Sequence, residues 1–164
     1  MINSVMSAGG VNIYRRIGIA LTVMVILLFL LSLINLTFAQ NWKVHFFPAA
    51  IIGYALILGA AGGLVAGIAG SLYSALLLGN PYLIAGNALF GFLTGVFYKQ
   101  THKIILSVVL AFICELPWLM VSDYYFMRLP AEFIIRLVVV LSLTNMLWAS
   151  LIRFLHQPLR RLLW

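Results

Sequence analysis

Residues 47–78 read FPAAIIGYALILGAAGGLVAGIAGSLYSALLL, an apolar run without a charged side chain. The run exceeds the roughly 25 residues that usually form one membrane-spanning helix, and it is too short for two full crossings. Gly62 and Gly63 lie near its middle. We therefore predict that the run divides into two short helices, over residues 48–59 and 62–78.

Small residues recur along this run at every fourth position, and the same spacing returns in the next apolar run. Residues four apart share a helix face, and small side chains let neighbouring helix backbones approach closely. The positions predicted to serve this role are Gly59, Gly63, Gly67, Ser71, Ala75, Gly91 and Gly95. Packing within the chain is the first interpretation, and docking of a separate partner protein on this stripe is the alternative.

The composition extends this membrane character to the whole chain. Of its 164 residues 65% are hydrophobic and only 8% are charged, whereas soluble domains carry about 25% charged residues. So few charges cannot cover a water-facing surface, which excludes a soluble enzyme. The net charge of +7 does not indicate nucleic-acid binding, because the basic residues lie at the ends of apolar runs, as the positive-inside rule predicts.

We predict an all-α integral membrane protein, a compact bundle of six short transmembrane helices with both termini cytoplasmic. It forms a single membrane domain, residues 1–164, with spans at about 17–38, 48–59, 62–78, 83–98, 104–121 and 131–155. The first apolar run is longer than the 7–15 residues of a signal peptide, so we expect it to be retained as a span. This topology leaves only Lys43 and Arg128 as basic residues outside, with Arg136 near the outer end of the sixth helix.

Ionisable residues inside membrane helices are functional candidates by default. Glu115, Glu132, Arg136 and Asp123 fall within or beside the predicted spans. Glu132 and Arg136 are four apart, so one interpretation is that they pair with each other. In the other, Glu115 and Arg136 line a pocket that opens to the outside among aromatic side chains, an arrangement that suits a flat small molecule with hydrogen-bonding groups.

Catalytic and metal-binding patterns are scarce. His45, His102 and His156 each stand alone, and the predicted topology puts His45 on the opposite side from the other two. The sequence contains no Cys-x-x-Cys pair and no phosphate-binding glycine loop with a following Lys. We therefore expect no enzyme activity, no metal site and no cofactor in this chain.

Several segments together resemble the substrate-binding S component of energy-coupling factor (ECF) transporters. They are Phe47-Pro48, the small-residue run 59–75, Leu77-Leu78-Gly79-Asn80-Pro81-Tyr82, and the stretch 87–95, which reads NALFGFLTG. The resemblance implies a subunit of a prokaryotic cell (inner) membrane that captures a small organic micronutrient, such as a vitamin or its precursor. It also implies partners in the same membrane, a transmembrane T protein and two ATPase subunits that hydrolyse the ATP.

Family resemblance and predicted topology together suggest which residues contact the ligand. The candidate substrate-binding residues are Lys43, Asn80, Tyr82, Asn87, Glu115, Trp118, Arg136, Asn145 and Trp148. Cobalt- and nickel-binding members of the family begin with Met-His, whereas this chain begins Met1-Ile2-Asn3-Ser4. An organic ligand is therefore expected, and a metal is not.

A rival interpretation comes from a different class of protein. The rod-shape-determining membrane protein, a non-catalytic scaffold of the bacterial cell-elongation machinery, is similarly short and also has a glycine ladder. Its ladder helix commonly carries an Asp near the end, where this sequence has Ser71 and Ser74 and no acidic residue. A scaffold would need no ligand, so its polar residues would serve only packing and the membrane interface.

Overall fold

The computed structural model describes residues 35–38 and 42–163, together with Thr22, Ile26, Leu28 and Leu30, which are helical. Side chains are described at those four positions and at residues 46–154. The elements in chain order are β1 (Asn35–Phe38), β2 (Trp42–His45), α1 (Phe47–Leu78), α2 (Tyr82–Thr101), α3 (Ile104–Val121), a π-helical turn (Ser122–Phe126) and α4 (Ala131–Leu163). The described part of the chain is thus predominantly helical.

The end of the first predicted span is wrong. Residues 35–38 form a strand that pairs antiparallel with β2, so that Asn35 faces His45 and Phe38 faces Trp42. Thr37, Phe38, Trp42 and Val44 are β-branched or aromatic residues that favour a paired strand, and this local preference overrides continuation of the helix. Apart from the four helical positions, the rest of the predicted span 17–38 lies outside the described residues.

Among the described residues three helices are long and apolar enough to cross a membrane, namely Phe47–Leu78, Ile104–Phe126 and Ala131–Phe154. Helix α2 is not among them, although we predicted a span at 83–98, because its glycines, Asn87 and Lys99 lower its mean hydropathy. Large apolar side chains are exposed along these helices, including Leu76 and Phe154, each 80% exposed. Extended exposed apolar surface in a folded chain is a feature of membrane contact.

Helix α1 reverses direction within itself at Gly59. This residue has φ +71° and ψ −160°, a conformation that essentially only glycine adopts. A Cβ placed on Gly70 would lie 3.4 Å from Cβ of Phe47, and one on Gly63 would lie 2.9 Å from Cβ of Ala55. In a straight helix Phe47 and Gly70 would be about 34 Å apart. Residues 47–58 and 60–78 therefore lie side by side and antiparallel. Only Gly59 has non-helical φ and ψ angles between them, so both halves belong to one helical element, α1.

The helix break differs in position from the prediction in a small way. The predicted helices 48–59 and 62–78 put the connection at residues 60–61, whereas the chain turns one residue earlier, at Gly59. Gly62 instead packs against the first half of α1, close to the side chain of Leu58 and the carbonyl oxygen of Tyr54. The glycine pair is thus the contact between the two halves, and Gly59 alone supplies the unusual backbone conformation.

The small-residue stripe packs inside the chain, against α2. The backbone of Gly63 meets the carbonyl group of Gly91, and Gly67 meets the carbonyl group of Asn87. A Cβ on Gly95 would lie 2.5 Å from the backbone nitrogen of Ala60. Ser71 and Ala75 of the stripe are buried as well, and the Ser71 hydroxyl donates to the carbonyl oxygen of Gly67.

Replacing Gly67 by Ala is expected to lower the free energy of unfolding by about 1–3 kcal/mol, because the new methyl group would overlap the Asn87 carbonyl and two backbones cannot give way locally. Gly53→Ala is the matched control, since nothing lies within 4 Å of its Cβ position. There the change should be neutral or stabilising, by about 0.5–1 kcal/mol from helix propensity. Thermal unfolding of both variants in detergent tests this, and equal stability of the two variants would contradict it.

Candidate functional site

The four described helices enclose a cavity of about 270 Å³. Helix α1 contributes from both of its halves, since Phe47 and Ser74 both line the cavity. The turn after α1 and the loop after α3 contribute to the wall at one end. Polar groups at its wall come from Ser74, Asn80, Tyr82, Asn87, Glu115, Trp118, Ser122, Asp123, Thr144 and Asn145.

Most of the remaining wall is apolar, with a high share of aromatic rings. The aromatic side chains are Phe47, Tyr82, Phe90, Phe112, Trp118 and Phe133. Large flat side chains around a few polar groups form the usual lining of a site for a small ring-containing molecule. The volume limits such an occupant to roughly the size of a bicyclic compound, since ligand pockets of about 300 Å³ are among the smallest.

Glu115 is the most unusual group in the wall. Its side chain is only 7% exposed, yet among the described residues its carboxyl group has no hydrogen bond and no ion pair. Gly86 makes room for this carboxyl group, because a Cβ there would lie 3.2 Å from Oε1 of Glu115 and 3.3 Å from Cδ1 of Trp118. Because Gly86 has no side chain, the carboxyl group of Glu115 and the indole ring of Trp118 can both pack against α2 at this point of the cavity wall.

Two further polar residues lie in the cavity wall on α4. Thr144 and Asn145 are buried, and within the described part of the chain their side chains have no hydrogen-bond partner. On α2, the Asn87 Nδ2 group donates to the carbonyl oxygen of Leu83 at 2.9 Å. These side chains line the cavity, so the hydroxyl of Thr144, the amide of Asn145 and the carboxyl of Glu115 form a set of polar groups that a bound molecule can satisfy.

The end of the cavity beside the loop after α3 contains a different set of polar groups, which bond to one another. The Asn80 side chain donates from Nδ2 to Oδ1 of Asp123 at 3.1 Å and accepts from the Tyr82 backbone N–H at 3.1 Å. The Trp118 indole N–H donates to the Tyr82 carbonyl oxygen at 3.2 Å. The Tyr82 ring stacks on Phe126 at 4.8 Å between centroids. These contacts tie the turn after α1 to α3 and to its following loop.

Six of the nine predicted substrate-binding residues line this cavity, namely Asn80, Tyr82, Asn87, Glu115, Trp118 and Asn145. Arg136 does not line the cavity, because its side chain is exposed on α4 beside the stripe formed by Phe133, Leu137 and Val140. Glu132 is exposed as well, and within the described side chains it forms no ion pair with Arg136.

Trp148 is also not a cavity residue. It lies one turn below Asn145, is buried in the core and packs its ring against Phe46 at 5.1 Å between centroids. The side chain of Lys43 lies outside the described side chains, although its backbone belongs to β2. The sequence analysis did not identify Thr144 as a cavity residue. Its spacing from Phe133, Leu137 and Leu141, which puts all four on one face of α4, could have indicated this position.

Replacing Asn80 by Ala is expected to destabilise the protein by about 1–3 kcal/mol, because it leaves the buried Asp123 carboxyl group without its hydrogen-bond donor. It should also speed amide hydrogen exchange at Tyr82 and along residues 122–130. Asp123→Asn is the matched control, since an amide oxygen still accepts the bond from Asn80. Exchange that is unchanged in Asn80→Ala would show that this contact does not hold the loop.

Comparison with known proteins leaves the function to be argued from the site itself. No family model matches the chain, and no curated protein matches it. No solved structure matches it either.

Proposed function

We propose that this chain is the substrate-capture component of a membrane importer, an S component of the ECF type, which binds a small organic micronutrient. The observation that carries this proposal is the cavity, in which a buried carboxyl, a buried amide and a buried hydroxyl lack partners within the described chain. Binding would supply those partners, and the aromatic wall would hold a ring. Nothing in this role requires the chain itself to catalyse a reaction.

The fold-back at Gly59 supports the six-helix part of the proposal. It divides α1 into two antiparallel segments, so that residues 47–155 supply five of the six short helical segments. The sixth is the N-terminal segment that contains the helical residues Thr22, Ile26, Leu28 and Leu30. Leu28 is fully buried and belongs to the same core as Phe47, which ties this segment to the bundle.

The distribution of charge supports a cavity that faces outward. The cavity lies at the start of α2, the end of α3 and the start of α4, whereas Lys99 and Lys103 lie at the other ends of α2 and α3. The basic residues Arg153, Arg160 and Arg161 lie in the C-terminal part of α4, away from the cavity residues at its start. The positive-inside rule puts the basic ends in the cytoplasm, with both termini on that side and the cavity open to the outside of a prokaryotic cell membrane.

Transport by such a component requires partners, because the described residues offer a binding cavity and no nucleotide-binding loop. In the proposed assembly a transmembrane T protein receives the loaded chain, and two ATPase subunits supply the energy. A scaffold of the cell-elongation machinery is the competing function. It has no use for an unpartnered buried carboxyl group, since an apolar residue of similar size at that position would be more stable.

Native mass spectrometry of the purified full-length chain tests this proposal. We expect a single retained species of vitamin size, bound one to one. Asn145→Leu should reduce its occupancy tenfold or more, because the substitution removes both the donor and the acceptor of a buried amide while keeping its volume. Ser142→Ala on the same helix is the control, since this hydroxyl bonds to the Val138 carbonyl oxygen and does not line the cavity.

An empty protein that instead co-purifies with cell-elongation proteins would overturn the proposal in favour of the scaffold. Equal occupancy in Asn145→Leu and Ser142→Ala would show that a molecule binds elsewhere than in this cavity.

A further inference from the structure

We infer that the molecule captured in this cavity is a small aromatic cation, held through a protonated nitrogen by Glu115. This inference rests on the proposed function and adds the charge class of the ligand. The chain contains ten Lys and Arg residues and three Asp and Glu residues. Two of those three acids, Glu115 and Asp123, line the cavity, and its described wall contains no Lys, Arg or His. The titratable groups of the described cavity wall are thus acidic, although the chain as a whole is basic.

The two acids differ in their partners. Asp123 already accepts a hydrogen bond from Asn80 at 3.1 Å and belongs to the contacts that hold the loop. Glu115 has no partner among the described residues, although it is more than nine-tenths buried. A buried carboxylate is tolerated when a positive charge or several hydrogen-bond donors meet it. In the proposed complex, the ligand supplies the positive charge or the hydrogen-bond donors that meet the Glu115 carboxylate.

The surroundings of Glu115 also suit a cation. Phe112 and Trp118 lie three residues before and after it, so the three side chains share one face of α3. All three line the cavity. The indole N–H of Trp118 is held by the Tyr82 carbonyl oxygen, which fixes the plane of the ring. Aromatic faces attract cations, most strongly in sites from which water is excluded.

The described cavity wall offers no positive charge to an anionic ligand. The nearest basic side chains of the described loop and of α4, Arg128 and Arg136, are exposed and do not line the cavity. A carboxylate on the ligand would therefore enter a low-dielectric space that already holds Glu115, with no counter-charge in the described wall. The site selects protonated amines, amidines or charged nitrogen heterocycles and rejects carboxylated molecules of the same size.

Three probes of matched shape test the inference on the full-length chain in a non-ionic detergent at neutral pH. They are 2-naphthylmethylammonium, 2-naphthylmethanol and 2-naphthoate, and isothermal titration calorimetry measures their affinities. We expect the ammonium probe to bind at least tenfold more tightly than the alcohol, and the naphthoate to bind most weakly. Glu115→Gln should weaken binding of the ammonium tenfold or more and leave binding of the alcohol unchanged within about twofold.

Glu132→Gln is the matched control, because Glu132 is exposed on α4 and does not line the cavity. It should leave all three affinities unchanged, which excludes general attraction of the cation to the protein surface. The wild-type series is a sufficient test by itself if Glu115→Gln does not fold. The inference is wrong if naphthoate binds most tightly, if the ammonium probe does not bind, or if its advantage persists in Glu115→Gln.

These failures are separable from failure of the proposed function. A retained molecule that native mass spectrometry identifies as neutral or anionic overturns the cation inference and leaves substrate capture in place. An empty protein that binds none of the three probes overturns both.

Discussion

The direct contact between the backbones of α1 and α2 is the constraint on which the rest of the structure depends. The paired positions are Ala60 with Gly95, Gly63 with Gly91, and Gly67 with Asn87, so that the contacts advance by about one helical turn on each helix. Missing Cβ atoms allow this approach, because any larger residue would insert a layer of side chains between the helices.

Asn87 shows the consequence for the site: its backbone carbonyl lies in this contact, while its side chain lines the cavity. A shift of one residue in this register would rotate Gly86, Asn87 and Phe90 away from the ligand-sized space.

The reversal at Gly59 is the second requirement, since it lets one chain segment cover two sides of the cavity. Phe47 begins the first half of α1 and Ser74 lies near the end of the second, yet both line the same space. The contact of Gly70 with Phe47 holds the two halves together at that end. A straight helix would put these residues about 40 Å apart, at a rise of 1.5 Å per residue. The cavity therefore exists because a single glycine adopts a conformation forbidden to other residues.

The sequence predicted how far along its helix each residue lies better than it predicted which way the side chain points around the helix axis. The bounds 104–121 agree with α3, and four of the predicted ligand contacts, Asn80, Asn87, Glu115 and Trp118, lie at one level of the bundle and line the cavity. Depth follows from counting residues from the ends of an apolar run. The direction of a side chain depends on which neighbour its helix packs against, and in α4 apolar residues occur on every face. For this reason Arg136 and Trp148, which we predicted as ligand contacts, do not line the cavity. The β-hairpin was missed because its first strand, Asn35–Phe38, continues an apolar run that has no turn residue before it.

The polar residues of the site divide into two groups, and the division distinguishes binding from support. Asn80, Asp123, Tyr82 and Trp118 satisfy one another through three hydrogen bonds, as a structural network does. Glu115, Thr144 and Asn145 are equally deep but have no such partners among the described residues. A structural role does not account for this second group, because apolar residues of the same volume would fill the space at lower cost. In the proposed function, a molecule that enters the cavity pairs with these groups. The hydrogen-bonded network has a separate role in that proposal, which is to hold the loop at the end of the cavity in place.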